Sequence, residues 1–572
     1  MDRNVMNLIE PAAGEIWDLS VPTPDVPSPP TDVGLTNSEI LRDASPLRFE
    51  NAAALAAEAA TENGYVSGSG TEEDPYIIRN LRFSDVSDTP AIFVSKVDKP
   101  LIIENVQIIG KPASRFEPAP ARGIELIDCV GTVVRRCEVS RCEGIFAGGA
   151  GSRSIRFEQN YVFSCNRAIM SSGGSHFTAT GNYTRDAMMY GVFFYNGPDH
   201  IIENNYIAWA GREGVGTNGK SARQIIRNNV ILNTGWTAVN LEGDVDDSVV
   251  ENNLLVDSHY GIIFMGNRSI CRNNRIFFSN QSGIQTHAGG QKRGSTQDMQ
   301  ILDNLIVGFG EAGVKVREHI NQTRVAGNRI HLGNAAIDVE ALQSIVEDND
   351  ILRCLYGIQL RRGANDFLVQ KNRIRSTRNG VDANGATGGK ILNNSFSHNI
   401  PSIRVSGGED LVISGNQLRS VGSAIGVYRS RRTVVDDNKM LCVAYGNIRL
   451  RDSHDCLVKN NTMEVSTTWA LQVWGGGGNT LRNNHIARMR GWFDTAAIVF
   501  SNGTSNNHVH DNRIENSSLG VTFWREKGFK NNVIENNHYL ETDKIATFQR
   551  GAEGDAVTKN NTLEGNPKAV LE

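Results

Sequence analysis

His287 closes the pentapeptide GIQTH, and farther along the chain Lys315 and Arg317 stand in a closely related stretch, AGVKVR. Histidine is the side chain most readily tuned to give or take a proton near neutral pH. Two cations beside it would neutralise a carboxylate on the reacting molecule and stabilise the enolate-like charge left when the adjacent C–H proton is removed. That demand is shared by β-elimination and by C5 epimerisation of a uronate. His287, Lys315 and Arg317 therefore form a candidate catalytic set if the fold stacks their stretches one above the other. The same residues also have an architectural reading, in which Lys315 pairs with Asp338, and Arg317 with Glu340 and Arg361, as a ladder of ion pairs. A second chemistry is written in Asp338 and Glu340, because positions i and i+2 on a strand set two carboxylates about 6.5 to 7 Å apart, near the separation of an inverting glycosidase. Paired with cations, both would stay ionised, and the acid of raised proton affinity would be missing.

Whether such residues meet depends on the elements around them, and those elements repeat. An Asn flanked by branched apolar residues, as in IIENNYI and IIRNNVI, recurs at Asn80, Asn105, Asn160, Asn182, Asn205, Asn229, Asn253, Asn274 and Asn304. It continues at Asn328, Asn349, Asn372, Asn394, Asn416, Asn438, Asn461, Asn484, Asn512, Asn532 and Asn561, with Cys137 filling one slot. From Asn328 to Asn484 the step is 21 to 23 residues, too short for helical-pair repeats or propeller blades. Segments such as VVENNLLV alternate β-branched residues around the Asn as strands do, and about ten residues later a second strand follows, as in EGVGTN, TAVNLE and YGIQLR. Two or three short strands per turn predict an all-β fold, a parallel β-helix solenoid of about 20 turns. Turns stacked about 4.8 Å apart let an inward Asn bond its counterpart above, so the Asn is architectural. N-x-S/T matches such as Asn182 and Asn321 are then by-products of the ladder, and Gly before the second strand is expected to supply the φ of the corner.

The pattern xxNNxI … GIxxx resembles the right-handed parallel β-helix proteins of the pectin-lyase-like class, over roughly residues 65 to 565. The resemblance implies the fold and a choice of activities: polysaccharide lyase, uronate epimerase, glycosidase, phage tailspike, or no catalysis. Mannuronan C5-epimerases of this class carry Asp-Pro-His in the strand that GIQTH would match. Here Gln285 and Thr286 replace the Asp-Pro, and Arg317 stands where the next turn would supply an acid, which argues against an epimerase. For spike-like members the resemblance implies a homotrimer.

A solenoid exposes its core at both ends and needs caps. Residues 35–64 contain a capping box, Thr36 to Glu39, and carry Phe49, Ala53, Leu55, Ala56 and Ala60 at helical spacing, predicting a helical N-terminal cap. Residues 1–34 read as a flexible tail with a Pro-rich linker, VPTPDVPSPPTDV, which would tether residues 1–20, either an unstructured tail or a docking peptide for another protein. The β-helix takes 65–572 and ends under a covering loop, ETDKIATFQRGAEGDAV.

Alternate side chains on a strand face opposite ways, so the second strands map one long outer face. Early turns present Phe146, Met170, Phe193 and Tyr195; middle turns present Asn240, Glu242, Ile263, Met265 and Gln285. From Lys315 to Arg451 this face has six Lys or Arg against three Asp or Glu, although the chain has a formal net charge of -5. A local basic stripe with aromatics suits an acidic polysaccharide, bound by Glu242, Asp338, Glu340, Arg361, Arg404, Arg449 and Trp474, with rings stacking on sugars. Two insertions, GKPASRFEPAP and AGGQKRGSTQ, would wall the groove.

The whole-chain charge gives no reason to expect nucleic acid, and no run of 18 apolar residues exists to span a membrane. The first twenty residues lack the basic start and apolar centre of a secretory signal, and the expected location is extracellular or particle-associated. Eight Cys without CxxC or metal-ligand spacing read as buried, reduced thiols and not as a metal site. Ca²⁺ at the acidic turn DVDDS, 244–248, is the one cofactor expectation. A β-elimination lyase on a uronate-containing polysaccharide is the leading expectation. A non-catalytic polysaccharide-binding or adhesion spike, an inverting glycosidase and a C5-epimerase are the alternatives.

Overall fold

The computed structural model describes residues 22–35, 40–111, 121–286, 296–318, 320–419, 422–443, 445–466, 468–489, 495–524, 527–549 and 552–565. Its strands fall into an N-terminal unit, Thr23–Glu311, and a C-terminal unit whose solenoid is Ala312–Glu572. Each is a parallel β-solenoid, with about 20 turns in all. In the N-terminal unit Ile225–Arg227 pairs in parallel with Ile201–Glu203 on one side and Val249–Glu251 on the other. Glu213–Asn218 likewise lies between Tyr190–Tyr195 and Val230–Leu241. The C-terminal unit repeats the plan, with Ile448–Arg451 between Ile425–Tyr428 and Trp469–Trp474. Inward rows such as Ile202, Ile226 and Val250 are fully buried, which is what period-2 patterning requires of one strand face. Outward positions on these strands carry ion pairs between turns, including Arg135–Glu104, Arg227–Glu203 and Arg272–Glu251.

The asparagine ladder is present in both units. Asn229 Oδ1 accepts from the Asn205 backbone N–H and from Asn205 Nδ2, each at 3.0 Å. Asn229 Nδ2 donates in turn to Asn253 Oδ1 at 3.0 Å and to the carbonyls of Ile202 and Arg227. Cys137 does occupy the vacant slot, its N–H donating to Asn160 Oδ1 at 3.1 Å. The first Asn of each NN pair turns the corner instead, and Asn204, Asn228, Asn252 and Asn273 take φ of 57°, 55°, 56° and 55°. That left-handed conformation is tolerated because a short polar side chain can bond locally.

Several expectations change. Asn532 is not in the main ladder, which runs from Asn512 to Asn537 and Asn561. Asn532 instead ends a second ladder through Asn479 and Asn507. Asn182 is a buried ladder member, but Asn321 is a half-buried strand residue outside it. The glycines before the second strand do not supply a left-handed φ at 214, 261 or 357. A Cβ on Gly214 would lie 2.4 Å from Ile231 Cγ2, so the constraint there is the close approach of the next turn.

At the N-terminal end the helix expected over 35–64 occupies only Ala52–Ala59, capped by Asn51 Oδ1 accepting from Ala54 N–H at 3.0 Å. The Thr36–Glu39 capping box lies outside the described residues. Arg42–Asp43 and Leu47–Phe49 are strands paired with Leu81–Val86 and Ile92–Ser95, because Leu47 and Phe49 bury alternate side chains and extend the sheet. The linker is pinned at its end, where Gly34 N–H donates to the Gln159 carbonyl at 2.9 Å. At the other end the expected covering loop supplies strands Lys544–Gln549 and Glu553–Lys559.

One buried titratable group gives the N-terminal unit a pH dependence. His200 is fully buried between Phe177 and Phe194, its Nδ1 accepting from the Phe177 N–H at 3.1 Å. Burial pushes its imidazole from 6.5 down to about 3. The unfolded chain therefore takes up this proton first, so the contribution is fully present above pH 6.5 and is lost as pH falls toward 3. The slope is about 1.4 kcal/mol per pH unit. Denaturant unfolding at pH 7 and pH 5 should show the fall, and His200→Gln should flatten it; equal slopes in the two proteins would refute this origin.

Candidate functional site

The second strands of the N-terminal unit bring together a polar set around Glu213. Register places Glu213 beside Tyr190 and Thr237, and Gly216 between Phe193 and Asn240. The same row continues through Ile263 to Gln285. Gly216 leaves a gap that the Glu213 carboxyl and the Phe193 ring fill, since a Cβ there would lie 2.5 Å from Glu213 Oε2 and from Phe193 Cδ2. Asn240 Nδ2 donates to Glu213 Oε1 at 3.1 Å. Arg212 Nε lies 3.5 Å from that same oxygen, and Arg212 Nη1 donates to the Tyr190 hydroxyl at 3.2 Å. The Tyr190 ring stacks on Phe193 with centroids 4.3 Å apart.

The Glu213 side chain is only 3% exposed. Burial raises its carboxyl above the usual carboxylate range; the Asn240 hydrogen bond and the Arg212 charge oppose this, while the Glu242 charge adds to it. Glu213 Oε2, Asn240 Oδ1 and Gln285 Oε1 are buried without a hydrogen-bond partner among the described residues. Buried polar atoms are normally satisfied. Asn240 and Gln285 stand in the Gly216 row and the Glu213 carboxyl reaches into it, with a guanidinium and a phenol beside that carboxyl, a grouping that can bind a polar ligand and move a proton.

Of the residues expected from the sequence, Glu242 lies on this face and accepts from Asn218 Nδ2 at 3.3 Å. His287 lies outside the described residues, as do most of the two wall insertions. Lys315 and Arg317 belong to the C-terminal unit, Lys315 nearly buried and Arg317 half-exposed. There Asp338, Gln359, Asp382 and Arg404 stand in one register row, which reaches Arg449 and Gln472 through Gly426. The row is more sheltered than an outward face implies: Asp338 is 3% exposed and Gln472 2%. Arg361 pairs with Asp338 through two bonds of 2.8 and 3.0 Å, rather than with Glu340. Arg404 meets Asp382 at 3.4 Å and lies over the Tyr428 ring. Arg449 donates to Gln472 at 2.8 Å and covers Trp469, and Arg451 covers Trp474. These stacked cations form the expected basic, aromatic stripe. In the acidic turn 244–248, Asp246 accepts from Asn267 and Asp247 pairs with Arg268 at 2.7 Å.

Glu213 escaped the sequence reading because that reading followed the residues after each Gly-Ile pair, and Glu213 stands before its Gly. Two signals were there to find: an acid opening EGVGTN, and a glycine at the outward position of the same strand.

Two family profiles match this chain. The one described as periplasmic copper-binding protein (NosD) matches residues 61–240 and 342–520, more than half of the sequence. The chain belongs to the NosD family. A profile described as right handed beta helix region matches residues 167–330 of this NosD-family chain, which gives the solenoid its hand. None of the curated proteins matches. Similar solved structures include a periplasmic alginate epimerase at 11% identity, covering 54% of this chain and 80% of its own, with a TM-score of 0.34. An alginate lyase from Paenibacillus sp. str. FPU-7 matches at 15% identity over 50% of this chain and 95% of its own, TM-score 0.31. The Dettilon tailspike protein matches at 11% identity over 70% of this chain and 62% of its own, TM-score 0.31.

Proposed function

We propose that this protein acts outside the cytoplasm on an acidic polysaccharide, and that the Glu213 face cleaves it by β-elimination at a uronate. The observation that carries this reading is the buried, half-unsatisfied Glu213 carboxyl beside Arg212 and Tyr190. A carboxylate of raised proton affinity is a stronger base than an ordinary one. Glu213 takes the C5 proton, and the C–H electrons move toward the uronate carboxylate, which Arg212 binds and whose enolate-like charge it stabilises. Those electrons then form the C4–C5 double bond as the C4–O4 bond breaks. The departing O4 takes the Tyr190 proton; that hydroxyl accepts from Arg212, which leaves its own proton free to point at substrate. Solvent returns a proton to Tyr190 and removes one from Glu213. The unsaturated uronate product absorbs in the near ultraviolet.

A second reading, glycoside hydrolysis with Glu213 as acid, is favoured by one observation: the charge of Glu242 bears on Glu213, as in paired-carboxylate sites. The test incubates the protein with a panel of uronate polymers and follows absorbance and new reducing ends together. Both rising supports elimination; reducing ends without absorbance selects hydrolysis; neither rising with any polymer would overturn both.

The family's description also names copper. Among the described residues there is no group of three or more His, Cys, Asp or Glu that could hold a metal. Cys129, Cys137, Cys142, Cys165, Cys271, Cys354 and Cys456 are buried, and burial pushes the thiols of Cys129 and Cys456 up to about 11, and those of Cys137 and Cys354 up to about 12. Such groups hold their protons and make poor ligands. The described residues do not fit copper.

The C-terminal stripe of Arg404, Arg449, Arg451 and Trp474 would hold the polymer by charge and stacking. Arg449→Ala combined with Arg451→Ala should weaken polymer binding about tenfold at low salt, and the loss should shrink as salt screens the charges. Affinity measured at low and high ionic strength checks this, and a loss that does not change with salt would contradict it.

A further inference from the structure

Between the Asn-bearing strand and the second strand, several turns of the N-terminal unit have a left-handed residue, among them Asp186, Asn233 and Asp257 at φ of 52°, 54° and 60°. Short polar side chains tolerate that conformation. Trp209, like Phe278 at φ 59°, takes the equivalent place at φ 60°, where a bulky ring is strained. Its indole is 61% exposed, so packing is not what keeps it there. Two residues on, Gly211 and Gly235 stack with no side chain. A Cβ on Gly211 would lie 2.2 Å from the Met188 carbonyl oxygen, and one on Gly235 2.2 Å from that of Gly211. Over this corner lies an open surface depression of about 630 Å³, lined by Trp209, Met188, Asp186, Asn233 and Asp257. That volume lies within the range of small-molecule sites.

We propose that this corner is a subsite for an uncharged pyranose ring. The C–H face of the sugar stacks on the Trp209 indole, and its hydroxyls donate to the carboxylates of Asp186 and Asp257 and to the Asn233 carbonyl oxygen. Asp186 Oδ2 also meets Arg185 Nε at 3.3 Å. Two carboxylates against one guanidinium leave the corner net negative, which disfavours a uronate there. The corner runs directly into the Glu213 face, because Gly211 lines the depression and Arg212 and Glu213 are the next two residues. Resting on the elimination reading for its acidic unit, the inference names the substrate class: a heteropolysaccharide in which an uncharged sugar neighbours a uronate.

The test titrates three hexasaccharides, all-neutral, all-uronate and mixed, into the full-length protein and into Trp209→Ala, Asp186→Asn/Asp257→Asn and Glu213→Gln. The mixed hexamer should bind at least tenfold more tightly than the all-uronate one. Trp209→Ala should erase that advantage. The double Asn variant should gain affinity for the all-uronate hexamer. Equal affinity of the unaltered protein and Trp209→Ala for the mixed and neutral hexamers, whether both bind or neither does, would overturn the subsite. Trp209-dependent binding with no turnover of any hexamer would support the subsite and overturn elimination instead.

Discussion

Glu213→Gln is expected to abolish turnover, by about a thousandfold or more, while stabilising the N-terminal unit at neutral pH. The carboxyl is raised because burial disfavours its charged form. Below the usual carboxylate pKa it is protonated in folded and unfolded chains alike, and the amide changes little. As pH rises through the raised folded value, ionisation in the buried site destabilises the native state, and the neutral amide avoids this. The gap in unfolding midpoint between the variant and the unaltered protein should therefore be small at pH 4 and open by pH 8. Catalytic residues held against their own solvation commonly show this trade of stability for activity. Thermal unfolding at the two pH values, alongside the absorbance assay, checks both halves. A variant less stable at both would mean that Glu213 is a structural group satisfied by Asn240 and Arg212.

Asn229→Ala should have the largest effect on folding. This one side chain accepts two hydrogen bonds from Asn205 and shares its two N–H donors among the carbonyls of Ile202 and Arg227 and Asn253 Oδ1, and all of these disappear. The groups left behind are buried, so the loss is that of unsatisfied donors and acceptors, about 3 to 5 kcal/mol. By contrast Arg227→Ala, which removes the Arg227–Glu203 pair on the exposed side of the same turn, should change stability by about 1 kcal/mol or less. Solenoid stability is a sum of nearest-neighbour terms. Faster amide exchange should thus centre on the strands holding Ile202, Ile226 and Val250. Uniform exchange across the unit, or equal effects of the two variants, would contradict the ladder's role.

The ladder was legible because it solves a local problem once per turn. A buried corner amide needs a partner above and below, Asn supplies both, and the spacing shows in the sequence. The first Asn of each pair was legible only as part of the motif, since its left-handed backbone is a property of the folded corner. In KNNVIENNHYL two such pairs lie five residues apart, and nothing in the local pattern says which joins Asn512. Stacking decides, giving Asn537 to one ladder and Asn532 to the other. Similarly, alanine-rich spacing announced a helix, and Ala52–Ala59 forms it, but Leu47 and Phe49 joined the sheet because a solenoid edge offered them backbone partners.

The face of the second strands followed from period-2 alternation, and its register rows came out as that alternation requires, from Asn240 to Gln285 and from Asp338 to Gln472. Alternation sets which way a side chain points. Its solvation and its partner depend on residues a turn away: Arg361 reached Asp338 rather than Glu340, and Glu213 found Asn240, 27 residues on, across a gap that exists only because Gly216 has no side chain. Chain periodicity carries the first kind of information because it is a property of neighbouring residues along the backbone. The second kind arises when turns stack, since desolvation and hydrogen bonding are set by what lies within a few ångströms in space.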